Sequence, residues 1–183
     1  YDGVQHCSPA QFDPGCEHTI SLFSLSKAYG FAGWRIGYMV IPIALQIAIQ
    51  KIQDTILICP ALPSQVAAIA ALEVGQSYAR KKLINIAEVR ALIKQRLLSV
   101  SAQCEYIEPQ GAFYFWLKIA TQRAAIDLVR TLIYDFKVAV IPGSAFGSED
   151  DCYLRIAYGA LALNTVEQGI SRFTAGLQAL VDG

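Results

Sequence analysis

A surplus of either charge is the first thing this sequence lacks. Lysine plus arginine and aspartate plus glutamate both total 15, for a formal net charge of zero. Bulk attraction to nucleic acid or to an anionic membrane surface is therefore not expected. Histidine is scarce, with only His6 and His18, and the five cysteines (Cys7, Cys16, Cys59, Cys104 and Cys152) form no C-x-x-C pair. That excludes the common structural zinc spacings, and an odd, unpatterned set of thiols suits a reducing, cytoplasmic setting. No charged stretch followed by an apolar core opens the chain, so a secretory leader is not expected. The longest uncharged run, Thr55 to Leu72, approaches membrane-spanning length, but Pro60 and Pro63 break it and Ser64 and Gln65 make it polar. A membrane span is not expected. Internal repeats and low-complexity tracts are absent as well.

What the chain does have is apolar surface. Its 183 residues are room for one ordinary domain, or for a small domain plus part of a second. Hydrophobic residues make up 54% and charged residues 16%, more apolar than a freestanding domain of this length needs. Some of its surface is therefore expected to be covered by something else.

Hydrophobic periodicity and turn residues divide the chain into two parts. Tyr1 to Thr19 reads as a loop, punctuated by Gly3, Pro9, Pro14 and Gly15. Ile20 to Phe23 reads as a strand, Ser24 to Arg35 as a compact loop, and Ile36 to Ile41 as a second strand closed by Pro42. Helices are expected over Ile43 to Leu57, from Pro63-Ser64 to an interruption near Gly75, and then along Leu83, Ile86, Val89, Ile93 and Leu97 at spacings of three and four. Beyond residue 100, strands (Phe113 to Leu117, Val138 to Ile141, Tyr153 to Tyr158) alternate with helices (Arg123 to Phe136, Thr165 to Leu180). The pattern predicts an α/β architecture with a boundary near residue 80, giving domains 1–80 and 81–183. Arg80-Lys81-Lys82 and Glu149-Asp150-Asp151 read as solvated charge, and Tyr29 and Trp34 as packing residues.

One short segment concentrates chemistry. Between Ser24 and Arg35 the chain places two hydroxyls, one lysine, two glycines and one arginine. Hydroxyls and a guanidinium are good phosphate donors, and an arginine can take two phosphate oxygens at once. A lysine held among them, once desolvated, could form an imine with an aldehyde. Residue types alone favour a surface lysine and a structural arginine in a tight loop. Further on, alternation puts Arg155 on one strand face with Tyr153 and Ala157, opposite Leu154 and Ile156.

The order of these residues adds a resemblance. Ser24-Leu25-Ser26-Lys27, followed by Gly33-Trp34-Arg35-Ile36-Gly37-Tyr38, resembles the S-x-S-K and R-x-G segment of class I and II aminotransferases, closest to the prokaryotic aspartate-aminotransferase-like branch. Pro109-Gln110-Gly111-Ala112-Phe113-Tyr114, Val140-Ile141-Pro142-Gly143-Ser144-Ala145-Phe146-Gly147 and Tyr153-Leu154-Arg155-Ile156-Ala157-Tyr158 resemble later motifs of the same family, in the same order. The resemblance implies the fold type I architecture of pyridoxal phosphate (PLP) enzymes: the end of the large cofactor-binding domain plus the small C-terminal α/β domain. It implies that Lys27 carries PLP covalently, that Ser24 and Arg35 hold its phosphate with Ser26 second to Ser24, and that Arg155 takes the substrate α-carboxylate. No metal is implied.

The activity so implied is transfer of an amino group between an α-amino acid and a 2-oxo acid, by a cytoplasmic homodimer. A sister PLP reaction (lyase, decarboxylase or synthase) or a non-catalytic regulatory domain could share the lysine segment. The position where the family places the aspartate partner of the pyridine nitrogen falls ahead of Tyr1, as do the neighbouring tyrosine, the asparagine and the glycine-rich loop. This chain is therefore expected to be the C-terminal part of such an enzyme, and inactive alone.

Overall fold

Residues 1–159 and 161–181 are described by the computed structural model, in which the chain divides between Lys82 and Leu83. One unit takes in Gln5–Lys82, and the other takes in Tyr1–Val4 with the chain from Leu83 onward.

In the first unit, the opening segment is organised by one side chain. The Asp13 carboxylate accepts hydrogen bonds from the backbone N–H groups of Glu17, His18 and Thr19 at 3.0, 2.8 and 2.8 Å. Those bonds, Glu17's foremost, hold its pKa down to about 2. Strand β1 (Ser21–Ser24) follows and pairs antiparallel with β2 (Gly37–Val40), from Ser21 opposite Val40 to Ser24 opposite Gly37. Residues 24 to 35, expected as a loop, contain the short helix α1 (Leu25–Ala28) and a 3-10 turn over Ala32–Trp34. The reason is local: the Ser24 hydroxyl caps α1 by accepting from the Ser26 N–H at 3.2 Å, and Leu25 is buried beneath it.

Helices α2 (Gln46–Ile56) and α3 (Leu62–Val74) complete this unit up to the start of α4 (Gln76–Leu97). Pro63 sits in the first turn of α3, where its missing N–H costs nothing. Gly75 ends that helix at φ 68°, ψ −155°, a conformation open essentially to glycine alone. Many of this unit's large apolar side chains are exposed, among them Leu22, Met39, Ile43, Ile47, Ile56 and Leu62.

The second unit is built on a four-stranded antiparallel sheet of order β3-β4-β6-β5, comprising β3 (Cys104–Tyr106), β4 (Tyr114–Ile119), β5 (Ile141–Pro142) and β6 (Tyr153–Ala157). Alternation drives Phe115, Leu117, Ile119 and Leu154 to one face, where they are fully or nearly fully buried. The core against that face includes Val89, Ile93 and Leu97 of α4, Leu128, Val129 and Leu132 of α5 (Ala125–Tyr134), and Ile170, Phe173 and Leu177 of α6 (Leu163–Val181). Each such side chain contributes about 1.5 to 3 kcal/mol by leaving water. The strand expected over Val138 to Ile141 is reduced to Ile141–Pro142. The Val138 N–H instead donates to the Leu132 carbonyl and closes α5, and Lys137 turns the chain at φ 55°.

Within this unit the buried Arg90 gathers the Tyr1–Val4 segment. Its Nη2 donates to Asp2 Oδ2 at 2.9 Å and to Glu108 Oε1 at 2.6 Å, and the Tyr1 ring centroid lies 4.7 Å from Cζ. Lys94 also donates to Glu108. Burial opposes the Arg90 charge, but the Asp2 bond and the two carboxylates outweigh it and raise its pKa above the ordinary value. Among the described residues, no helix is long and apolar enough to cross a membrane.

Candidate functional site

The sequence-marked residues are divided between the units, with Ser24, Ser26, Lys27 and Arg35 in the first and Arg155 in the second. In the first, Ser24, Ser26, Arg35 and Gly37 line an open concavity of ≈ 400 Å³, with Leu22, Phe23, Ile36, Tyr38 and Met39. Ser24 and Gly37 are opposite each other in the β1–β2 ladder, so the hydroxyl and the arginine two residues before Gly37 lie at one end of the strand pair. A β-carbon on Gly37 would fall 2.5 Å from the Phe23 carbonyl oxygen, so only glycine lets the strands approach this closely here.

Arg35 adopts a left-handed conformation, φ 50°, ψ 48°, at the end of the 3-10 turn. That is uncommon outside glycine and is tolerated where surroundings over-determine it. One of its guanidinium nitrogens donates to the Ala32 carbonyl at 2.7 Å, which leaves the other N–H donors available. Ser24 uses its oxygen as an acceptor and keeps its O–H as a donor. Lys27 lies on α1, three residues beyond Ser24, and is solvent-exposed rather than desolvated; it does not line the concavity. Among the described residues neither Lys27 nor Arg35 is in an ion pair. Hydroxyl and guanidinium donors with no neutralising acid fit a phosphate. A PLP phosphate would be held here by Ser24 and Arg35, with Ser26 beside them. Tyr29 and Trp34 pack on aromatic neighbours, Tyr29 on Tyr78 at 6.2 Å and Trp34 on Phe31 at 5.6 Å.

In the second unit, Arg155 occupies β6 with Trp116 of β4 opposite it on one side and Ile141 of β5 on the other. It therefore projects from the sheet face away from the core, with Tyr114, Trp116, Lys118 and Tyr153. Its Cζ lies 4.4 Å from the Phe146 ring centroid and 4.7 Å from that of Tyr114. Its Nε is buried without a hydrogen-bond partner, and among the described residues no carboxylate pairs with it. By contrast, Lys118 on the same face is paired with Asp151 at 2.8 Å. A half-buried guanidinium without an acid keeps its N–H donors for another acceptor.

Tyr114 and Phe146 were not marked as functional by the sequence. Alternation along β4 suffices to put Tyr114 on the outer face, but Phe146 reaches Arg155 from a 3-10 turn (Gly143–Phe146), and no local signal reports that.

A family model described as aminotransferase class I and II matches residues 3–173. The chain is 33% identical over 185 residues to an aromatic aminotransferase of Arabidopsis thaliana, an alignment covering 99% of this chain and 45% of that protein. It is 32% identical over 193 residues to an aspartate aminotransferase of Rhizobium meliloti, covering 98% of this chain and 46% of that one. Among solved structures, an aromatic aminotransferase from Pyrococcus horikoshii superposes with a TM-score of 0.87 at 30% identity, over 98% of this chain and 48% of that one. The aspartate aminotransferase structure from Rhizobium meliloti gives 0.85 at 30% identity, over 97% and 46%. The chain thus spans somewhat less than half the length of the curated relatives it matches, and the match is to their C-terminal part.

Proposed function

Because the chain belongs to the class I and II aminotransferases, of fold type I, we propose that it carries the cofactor lysine and the carboxylate-binding arginine of a PLP-dependent enzyme. That enzyme transfers an amino group between an α-amino acid and a 2-oxo acid. On this reading residues 1–80 are the end of the large cofactor-binding domain and residues 81–183 the small C-terminal domain. The observation that supports it best is the convergence of Ser24, Ser26 and Arg35 on one concavity, with Lys27 on the helix that Ser24 caps.

When bound, PLP supplies an electron-withdrawing ring that stabilises negative charge at the substrate Cα. The chain's own residues do the rest. Ser24 and Arg35 bind the phosphate, and the fixed backbone of Arg35 holds its donors in place. Lys27 would be the residue that holds PLP covalently, and its amine, when free, would be the base for the proton on substrate Cα. Arg155 binds the α-carboxylate through two parallel N–H···O bonds and so sets the direction of the Cα–H bond. A cytoplasmic location and a second copy of the chain as partner belong to the same reading. The odd, unpatterned set of cysteines and the exposed apolar side chains of the first unit support them.

The test is absorbance of the chain mixed with PLP. The parent is expected to develop an imine band that Lys27→Ala lacks. Arg35→Ala is expected to raise the half-saturating concentration about tenfold or more, as loss of a charge-assisted phosphate contact should. A band of equal strength in Lys27→Ala would defeat the assignment.

A further inference from the structure

An arginine on a strand can be held in place in two ways. A carboxylate fixes it but occupies its N–H edge and cancels its charge. An aromatic face attracts the cation through the ring quadrupole and leaves the N–H bonds unspent. On the outer face of the second unit's sheet both solutions occur. Lys118 is paired with Asp151, whereas Arg155 touches no acid among the described residues and lies over the rings of Phe146 and Tyr114. Phe146 is itself held edge-on against Trp116 at 5.6 Å, and Trp116 stacks on Tyr153 at 5.4 Å. The Phe146 ring on Arg155 is thus part of an aromatic row with Trp116 of β4 and Tyr153 of β6.

We propose that Phe146 and Tyr114 are positioning residues for Arg155. They hold the guanidinium while leaving its donor edge open to a ligand carboxylate. The proposal rests on Arg155 being the carboxylate-binding residue. Phe146 is half exposed and contributes no buried core, so holding Arg155 accounts for its place better than stability does. Pre-ordering the long arginine side chain reduces the conformational freedom lost when a carboxylate binds. A leucine at either position keeps apolar bulk but has no quadrupole, so the guanidinium would sample other rotamers.

The experiment follows the backbone amide resonances of residues 153–157 of the full chain by NMR during titration with 3-phenylpropanoate. This probe has a carboxylate and no amino group, so it requires no cofactor. Its neutral amide serves as the control. Phe146→Leu and Tyr114→Leu are each expected to weaken carboxylate binding about threefold to tenfold, the range of a partly desolvated cation–π contact. Phe146→Tyr is expected to restore parent affinity, and none of these changes should affect the amide. Leucine variants that bind the carboxylate as tightly as the parent, while Arg155→Lys loses it, would overturn the positioning role and leave Arg155 in place. Undiminished binding by Arg155→Lys, or no binding by the parent, would overturn both.

Discussion

Gly37 and Phe23 meet across the β1–β2 pair so closely that a β-carbon on the glycine would lie 2.5 Å from the phenylalanine's carbonyl oxygen. The obstacle is backbone, not a movable side chain, so Gly37→Ala must push the strands apart. Overpacking of this kind costs about 1 to 3 kcal/mol. Urea unfolding of the variant is expected to show a lower midpoint and a stability reduced by that amount, and Ser24 and Arg35 should no longer share one concavity. Unchanged PLP uptake together with unchanged stability would contradict the role given to this contact.

Asp13 makes stability depend on acid. Its folded pKa, about 2, lies below the ordinary carboxylate value. A group depressed on folding stabilises the native state fully above its unfolded pKa of about 4, and that contribution is lost as pH falls through about 2. Stability measured between pH 5 and pH 2 is expected to fall less steeply in Asp13→Asn than in the parent. Parallel profiles would show that the three backbone bonds do not hold the folded pKa below the unfolded one.

Gly75 separates α3 from α4 in a backbone conformation that carries a penalty for any residue with a β-carbon. Gly75→Ala is expected to destabilise by about 1 to 3 kcal/mol, although alanine is ordinarily the better helix former. Thermal melts decide this, because a stabilised variant would mean that the two helices prefer to run on as one.

Glu108 accepts from both Arg90 and Lys94, and Arg90 is buried. Glu108→Ala leaves Arg90 with Asp2 alone, so chemical denaturation is expected to register a loss of about 1 to 2 kcal/mol. Asp2→Asn is expected to cost less, since the Asp2 carboxylate is the more solvated of the two. The reverse order would show that Asp2, despite its exposure, is the stronger counter-charge of Arg90.

Much of this is legible in the sequence. The alternation of Phe115, Leu117 and Ile119 against Tyr114, Trp116 and Lys118 reports a sheet with one buried face, and the same reading places Arg155 on the other. Gly75 announces the break between two helices because few other residues tolerate its backbone. What escaped depends on pairing or on tertiary register. Cys104–Tyr106 is too short to show a period and is a strand only because β4 lies beside it. Val138 looks like a strand residue but is drawn into closing α5. The left-handed Arg35 carries no sign in its residue type, and Phe146 reaches Arg155 through a turn whose direction only the folded sheet determines.

The most direct test of the central claim is to load the full chain with PLP, reduce it with borohydride, digest it and locate the modified lysine by mass spectrometry. The adduct is expected on the peptide containing Lys27, nearly alone among the chain's lysines, and it should disappear in Lys27→Ala. Modification spread over the surface lysines, or concentrated on another such as Lys51 or Lys94, would contradict the assignment of Lys27 as the cofactor-bearing residue.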